Sequence, residues 1–188
     1  MFILYAIPVG LLAGRLLGGR LDRLGELRFR WAWLAVAGLV TQIILFAEPV
    51  ATAIGDLGPA VYVASTAAVL VAVIRNWSIT GMPIVALGAA SNLLAIVANG
   101  GVMPASPEAI ASIDPLGTQG FSNSVVMADP ALRPLTDIFA LPAWLPFANV
   151  FSIGDVLIGV GLVVVIAAGM RRPSAATPPP VPAPKVGA

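Results

Sequence analysis

Asp155 is the ionisable residue whose position most suggests chemistry, because it stands near the start of the apolar stretch 153–170. A hydrolase built on aspartates needs a second carboxylate, since the two groups must share the acid and base roles. Asp129 and Asp137 precede this stretch and are the candidates for that partner. The sequence therefore allows a catalytic pair of aspartates at this point.

Ser152 and Asp155 also have the spacing of a capping box. In that motif the serine hydroxyl accepts a hydrogen bond from the third amide of a helix, and the acid accepts one from the serine amide. The positive end of the helix dipole stabilises a carboxylate placed there. Three roles are open for Asp155, as a helix cap, as a ligand-binding group and as a catalytic group, and the spacing favours the cap.

Two asparagines extend the set of polar residues that could hold a ligand. Asn92 lies within an apolar stretch and Asn99 follows its end, so Asn92, Asn99 and Asp155 form the candidate ligand-binding set. Asn92 has a structural alternative, because a hydrogen bond between two membrane helices stabilises them by about 0.6 kcal/mol.

Several kinds of site are excluded by the residue inventory. The chain has no Cys and no His, which rules out disulfides, thiolate nucleophiles, zinc sites of the Cys/His type and a Ser-His-Asp triad. It has no glycine-rich phosphate loop, no carboxylate cluster and no basic patch interleaved with aromatic residues. The sequence predicts no cofactor, no metal and no nucleic-acid partner.

The composition is that of a membrane protein, because 59% of the chain is hydrophobic, only 10% is charged, and its mean hydropathy is +0.96. The polar residues above are therefore expected to be held by membrane helices. Apolar runs long enough to cross a hydrocarbon core of about 30 Å recur along it. We predict an all-α integral membrane domain, residues 1–170, built as a bundle of about five helices. The predicted spans are 1–18, 31–47, 59–74, 82–98 and 153–170. Residues 171–188 are rich in Pro and Ala, which predicts a disordered cytoplasmic tail.

Basic residues give the predicted orientation. Nine of the ten Lys and Arg residues lie at or beyond the ends of spans one, three and five, which share one side of the membrane; they are Arg15, Arg20, Arg23, Arg28, Arg30, Arg75, Arg171, Arg172 and Lys185. The opposite segments carry mainly acidic residues. By the positive-inside rule the N-terminus is outside and the C-terminus is in the cytoplasm, as expected for a multi-pass protein of the cytoplasmic membrane.

Small residues recur every four positions in two of the spans. Gly10, Gly14 and Gly18 do so in the first span, and Ala60, Ala64, Ala68 and Ala72 do so in the third. Such faces let helix backbones approach closely. They predict helix packing, and the expected partners are the lipid bilayer together with another membrane protein or a second copy of the chain.

The connection between spans four and five, residues 99–149, is far longer than ordinary connections. Its aromatic and aliphatic residues predict a folded external loop that packs as a cap; the aromatic ones are Phe121, Phe139, Trp144 and Phe147. Within it, Ser106 precedes Pro107 and Glu108, a typical helix start. Ser106 is therefore a predicted cap for a short helix from Pro107 to about Ile113.

Four motifs in order resemble an uncharacterised family of bacterial membrane proteins, the domain of unknown function DUF5317. They are NGGVMPASPEAI (99–110), SNSVV (122–126), TDIFALP (136–142) and NVFSIGDVLIGVG (149–161). The resemblance covers the C-terminal two-thirds of the chain in motif form. It implies the membrane topology and marks the external loop, and it implies no activity.

A shorter stretch, FANVFSIGDVLIGVG (147–161), is similar to the part of the lipoprotein signal peptidases that carries one of two catalytic aspartates. Ser152 and Gly154 stand where that family has Asn and Ala. The second aspartate of those enzymes ends the preceding helix, where this chain reads NLLAIVANGG, without an acid. Asp129 or Asp137 would have to supply it.

Three functions are consistent with these patterns. The first is a non-catalytic structural or accessory membrane subunit, which the sequence favours over an enzyme. The second is a small-molecule transporter or channel with a polar cavity around Asn92, Asn99 and Asp155. The third is an intramembrane aspartate hydrolase that uses Asp155 with Asp129 or Asp137.

Overall fold

The computed structural model of the chain describes residues 2–113 and 124–171. These residues form seven α-helices and four short strands. The helices are α1 (Ala6–Leu16), α2 (Ala32–Leu45), α3 (Glu48–Ile54), α4 (Gly58–Ile74), α5 (Met82–Ala98), α6 (Pro107–Ile113) and α7 (Ile153–Met170). The strands are β1 (Met103–Ala105), β2 (Ser124–Val126), β3 (Phe139–Ala140) and β4 (Val150–Phe151). The predicted disordered tail lies outside the described residues except for Arg171.

The five long helices pack in a row. Helix α7 packs against α1 on one side and α5 on the other, α5 also packs against α4, and α4 packs against α2. The spatial order is therefore α2, α4, α5, α7, α1. The described residues add no second layer of long helices to this row, so large apolar side chains are exposed on each of the five helices.

Two helical segments are long and apolar enough to cross a membrane. One is the run Glu48–Ile74, which joins α3, a 3₁₀ turn and α4, and the other is α7. The segments Phe2–Leu16, Ala32–Leu45 and Met82–Ala98 are apolar but shorter. Helix α3 is missing from the sequence prediction, which placed the third span at 59–74, and the first helix ends at Leu16 rather than at residue 18.

Residues 99–113 and 124–152, which we call the cap, contain both strand pairs. Strand β1 pairs in parallel with β2, and β3 pairs antiparallel with β4. The prediction of an all-α protein is therefore wrong for this region. Strands of two or three residues are too short to show the alternation of apolar and polar residues by which a strand is recognised.

Aromatic rings fix the cap to the N-terminal segment. Phe2 stacks on Phe151 with ring centroids 4.4 Å apart, and Phe139 lies on Phe151 at 5.5 Å. The Tyr5 hydroxyl donates a hydrogen bond to the carbonyl of Pro146. These contacts bring the cap over the end of the helix row at which α7 begins.

Candidate functional site

A capping box begins α7. Ser152 has an extended backbone, with φ of −103° and ψ of 170°, and its hydroxyl accepts a hydrogen bond from the Asp155 amide at 3.1 Å. In return, the Asp155 carboxylate accepts one from the Ser152 amide, also at 3.1 Å. Two amides at the helix start, which have no partner within the helix, are satisfied in this way.

Asn92 of α5 joins the same group. Its amide nitrogen donates to Oδ1 of Asp155 at 2.8 Å, and its amide oxygen accepts a hydrogen bond from the Ser152 hydroxyl at 2.8 Å. Asn92, Ser152 and Asp155, the polar triad, thus form a closed set of hydrogen bonds between two helices. Each oxygen of the carboxylate accepts from a different residue, and Ser152 is completely buried.

Glycines allow α5 and α7 to approach closely enough for these bonds. A Cβ atom at Gly154 would lie 2.7 Å from Cγ of Asn92 and 2.8 Å from the Gly88 carbonyl oxygen. A Cβ atom at Gly88 would lie 2.8 Å from the Ile158 amide. About two turns further along α7, Gly161 faces Val85 and Gly81 in a similar way.

Asp137 is buried in the cap, with 4% of its surface exposed. Its backbone is held against β1, because its amide donates to the Pro104 carbonyl at 2.9 Å and its carbonyl accepts from the Ser106 amide at 3.0 Å. Its side chain accepts a hydrogen bond from the Ser124 hydroxyl at 2.8 Å. Both Ser124 and Asp137 therefore depend on the short strands for their positions.

Burial raises the pKa of Asp137 from its ordinary value of 3.8 to about 7. The hydrogen bond from Ser124 opposes this shift, whereas the negative charge of Asp155 adds to it. Among the described residues, no hydrogen bond joins Asp137 to Asp155, because Asp137 accepts from Ser124 whereas Asp155 accepts from Asn92 and Ser152. Asp129, the other predicted partner, is exposed on the surface of the cap.

Asn99 and Ser106 have local roles apart from the triad. The Asn99 side chain donates to the carbonyls of Ala95 and Ala131 at 2.8 and 2.9 Å and accepts from the Ala131 amide at 2.8 Å. It therefore ties the end of α5 to the cap. The Ser106 hydroxyl accepts from the Ala109 amide at 3.0 Å at the start of α6. The pKa of Glu108 is lowered by hydrogen bonds from its own backbone and from Ser106.

Of the three glycines predicted to pack in the first span, two contact another helix and one does not. Gly10 and Gly14 are buried against α7, where added Cβ atoms would meet Ile166 and Ala167. Gly18 follows α1 in a left-handed conformation with φ of 77°, and nothing lies within 4 Å of an added Cβ atom.

The alanine stripe of α4 is likewise divided. Ala72 is buried and Ala68 is half-buried, whereas Ala60 and Ala64 are exposed. The latter two line a shallow, open groove beside Val97 of α5. Among the described residues, this half of the stripe therefore faces no closely packed helix.

A pocket of about 240 Å³ lies beside Tyr62 and Ser124. Its walls come from the end of α2, from α3, from the start of α4 and from the cap, and we call it the Tyr62 pocket. Tyr62 packs edge-on against Phe46, with ring centroids 5.0 Å apart. Because Ser124 lines the pocket and bonds to Asp137, the pocket adjoins the buried carboxyl.

These features place the chain in the class of predominantly α-helical proteins with helices able to cross a membrane. A family model matches residues 26–167, more than half of the sequence, and the chain belongs to that family, the family of unknown function DUF5317. This match confirms the resemblance carried by the four motifs. No curated protein and no solved structure matches the chain, and the similarity to lipoprotein signal peptidases is not shown by these comparisons.

Sequence reasoning missed the close contact of α5 with α7. Gly81 and Gly88 are seven residues apart, as are Gly154 and Gly161, and seven residues make about two turns of an α-helix. Gly154 and Gly161 therefore lie on one face of α7, and Gly88 follows about two turns after Gly81, the residue that precedes α5. This spacing was available in the sequence as a signal that α5 and α7 are neighbours.

Proposed function

We propose that the protein is a non-catalytic, multi-pass protein of the cytoplasmic membrane that serves as a structural or accessory subunit. The polar triad carries this proposal, because its side-chain hydrogen bonds within the described part of the chain all hold helices in place. The Ser152 hydroxyl, the Asn92 amide and the Asp155 carboxylate bond to one another or to the start of α7. A carboxylate engaged in this way acts as a helix cap and an interhelical tie.

The exposed surface supports the membrane part of the proposal. Large apolar side chains are exposed on all five long helices, including Leu12 on α1, Ile43 on α2, Val71 on α4, Leu87 on α5 and Val160 on α7. Contiguous apolar surface of this extent is unfavourable in water and is typical of contact with a membrane or a partner. Lipid around the row, with a membrane-protein partner or a second copy on part of it, would cover these side chains.

The proposed orientation predicts the accessibility of single cysteines, and the natural chain contains none. Gly25 and Ala128 are both exposed, and an added Cβ atom at Gly25 meets nothing within 4 Å. We expect a membrane-impermeant maleimide to label Ala128→Cys in intact cells and to label Gly25→Cys only after the membrane is permeabilised. A labelled Gly25→Cys and a protected Ala128→Cys in intact cells would reverse the orientation, and labelling of both would refute the multi-pass arrangement.

Asp155→Asn tests the non-catalytic role. Asn has one acceptor oxygen where Asp has two, so it cannot accept both hydrogen bonds. Losing one bond to a charged group costs about 1.5–3 kcal/mol. We expect a lower midpoint of thermal unfolding in detergent, and growth of a complemented deletion strain that falls only as far as the amount of folded protein falls. Asp129→Asn, which changes an exposed carboxylate, is the control and should match the wild type.

An aspartate hydrolase is the second candidate, and the burial of Asp137, which raises its pKa, favours it. A raised pKa on one of two neighbouring carboxyls is what divides acid and base roles in such enzymes. If Asp155→Asn and Asp137→Asn both melt at or above the wild-type temperature, accumulate normally and fail to complement, this candidate replaces the first.

A further inference from the structure

The Tyr62 pocket has no part in the capping role proposed for the triad. We propose that it binds one aliphatic alcohol, with the alkyl chain in the apolar part of the pocket and the hydroxyl group beside Tyr62 and Ser124. The inference rests on the proposed function in one respect, which is that the ligand enters the pocket from the bilayer.

The size and lining of the pocket suit a single chain. Its volume of about 240 Å³ equals that of roughly eight water molecules in the liquid, and it is smaller than the ~300–1,000 Å³ of drug-sized sites. Apart from Tyr62 and Ser124, its lining is apolar or consists of glycine; the larger apolar residues are Leu45, Phe46, Ile54, Pro59, Val102 and Val125.

Gly58 keeps the pocket open. Its backbone is helical, with φ of −50° and ψ of −51°, so that its conformation does not require glycine. An added Cβ atom would be 3.4 Å from Ile54 and 4.0 Å from Leu45, which are ordinary contact distances. Neither strain nor a close backbone contact explains the glycine, and its consequence is unfilled space between α3, α4 and the end of α2.

The pocket has an outer and an inner end. Ala51, Gly55 and Val125 are exposed at the outer end, whereas Tyr62 and Ser124 are buried. Ala51 and Gly55 belong to the apolar run Glu48–Ile74, which is long enough to span a membrane. A chain that leaves the bilayer would therefore meet the apolar opening first and the two hydroxyl groups last.

The two hydroxyl groups select the polar group of the ligand. The Ser124 hydroxyl donates its hydrogen to Asp137, which leaves it free to accept a hydrogen bond. The Tyr62 hydroxyl has no hydrogen-bond partner among the described residues and can donate. An alcohol both donates and accepts, so it matches the pair. A carboxylate can only accept and would bring a charge into an apolar site, and an alkane would leave the Tyr62 hydroxyl unpaired.

Photoaffinity labelling of the full chain in lipid nanodiscs tests this inference. The probe is a decanol with a diazirine on its alkyl chain, and labelled residues are located by mass spectrometry. We expect labelling concentrated on residues 45–62, 101–102 and 124–125 and suppressed by an excess of 1-decanol. Tyr62→Phe removes one hydrogen bond, so about five times more 1-decanol should be needed to suppress the labelling. A decanoate probe with the same diazirine should label these residues weakly.

Gly58→Leu fills the pocket and should abolish this labelling, while Ala60→Leu, which adds the same side chain to an exposed position of the same helix, should leave it unchanged. If Gly58→Leu does not fold, Gly58→Ala has room and should reduce the labelling. Equal labelling of the Gly58 and Ala60 variants, labelling spread over the lipid-facing helices, or an equally reactive decanoate would overturn the inference. A failure of the proposed function would appear instead in cysteine accessibility and complementation, which do not depend on the pocket.

Discussion

Asp137→Asn is expected to make the protein more stable than the wild type at pH 7.5 and above, and to leave the two nearly equal near pH 4. The reason is the buried carboxyl of Asp137, whose pKa is raised to about 7. Asn has nearly the same shape and can still accept the hydrogen bond from Ser124, but it has no proton to lose. The measurement is the midpoint of thermal unfolding in detergent across this pH range.

The direction follows from proton binding by the two states. Between the ordinary pKa of 3.8 and the raised pKa of about 7, folded Asp137 keeps its proton whereas the unfolded chain has released it. The folded state then binds more protons, so stability falls as pH rises through this window and levels off above it. This difference in pKa between the folded and unfolded states corresponds to at most roughly 4 kcal/mol in the free energy of unfolding, since one pKa unit is about 1.4 kcal/mol.

The difference in unfolding midpoint between the wild type and Asp137→Asn reports on Asp137 and not on the other carboxyls. Asp22 and Glu108 have lowered pKa values and therefore contribute the opposite slope, but they are unchanged in the variant. Asp129→Asn, at an exposed position of the cap, should follow the wild-type curve. Parallel curves for the wild type and Asp137→Asn would mean that Asp137 is ionised in the folded protein throughout this range.

Helices with strong local start signals agree well with their sequence predictions. Helix α5 begins with Met82 and Pro83 after Gly81, α6 begins with Pro107, and α7 follows a capping box. Proline in the first turn and a side-chain cap are both encoded within a few residues. The ends of these three helices follow from local chemistry and from the length of the apolar run.

Helix α3 and the strands were not predicted because their signals are short or distant. Helix α3 has Glu48 and Pro49 in its first turn, but its cap residue makes no side-chain hydrogen bond and the helix has seven residues. Strand β1 pairs Met103 with Ser124, which are far apart in sequence. Such a pairing depends on the tertiary fold and leaves no local pattern of residues.

The candidate site likewise combines a local contact that the sequence predicts with tertiary contacts that it does not predict. The bond between Ser152 and Asp155 was predictable from a spacing of three residues, whereas the participation of Asn92 requires α5 and α7 to be neighbours. The burial of Asp137 depends on β1 and Ser124, which no spacing indicates. A carboxyl in an apparent loop is ordinarily taken as exposed, and this residue is an exception because two strand segments enclose it.

Gly154→Ala is expected to destabilise the protein by about 3 kcal/mol, through overpacking and the loss of hydrogen bonds in the polar triad. The added methyl group would overlap the side chain of Asn92 and lie 2.8 Å from the Gly88 carbonyl oxygen. The Gly88 carbonyl belongs to a helix backbone and cannot rotate away. Relief therefore requires that α5 and α7 separate, which lengthens the bonds from Asn92 to Ser152 and Asp155.

Gly159→Ala provides the matched control, because it makes the same change in the same helix. An added Cβ atom at Gly159 would lie 3.2 Å from the edge of the Phe2 ring, a side-chain contact that a shift of a few tenths of an ångström relieves, whereas the contacts of Gly154 include backbone. We expect its unfolding midpoint to stay close to that of the wild type, since alanine also favours the helix by up to about 1 kcal/mol. If Gly154→Ala and Gly159→Ala have the same unfolding midpoint, close packing of α5 on α7 does not limit stability. The cap would then have to hold the polar triad in place.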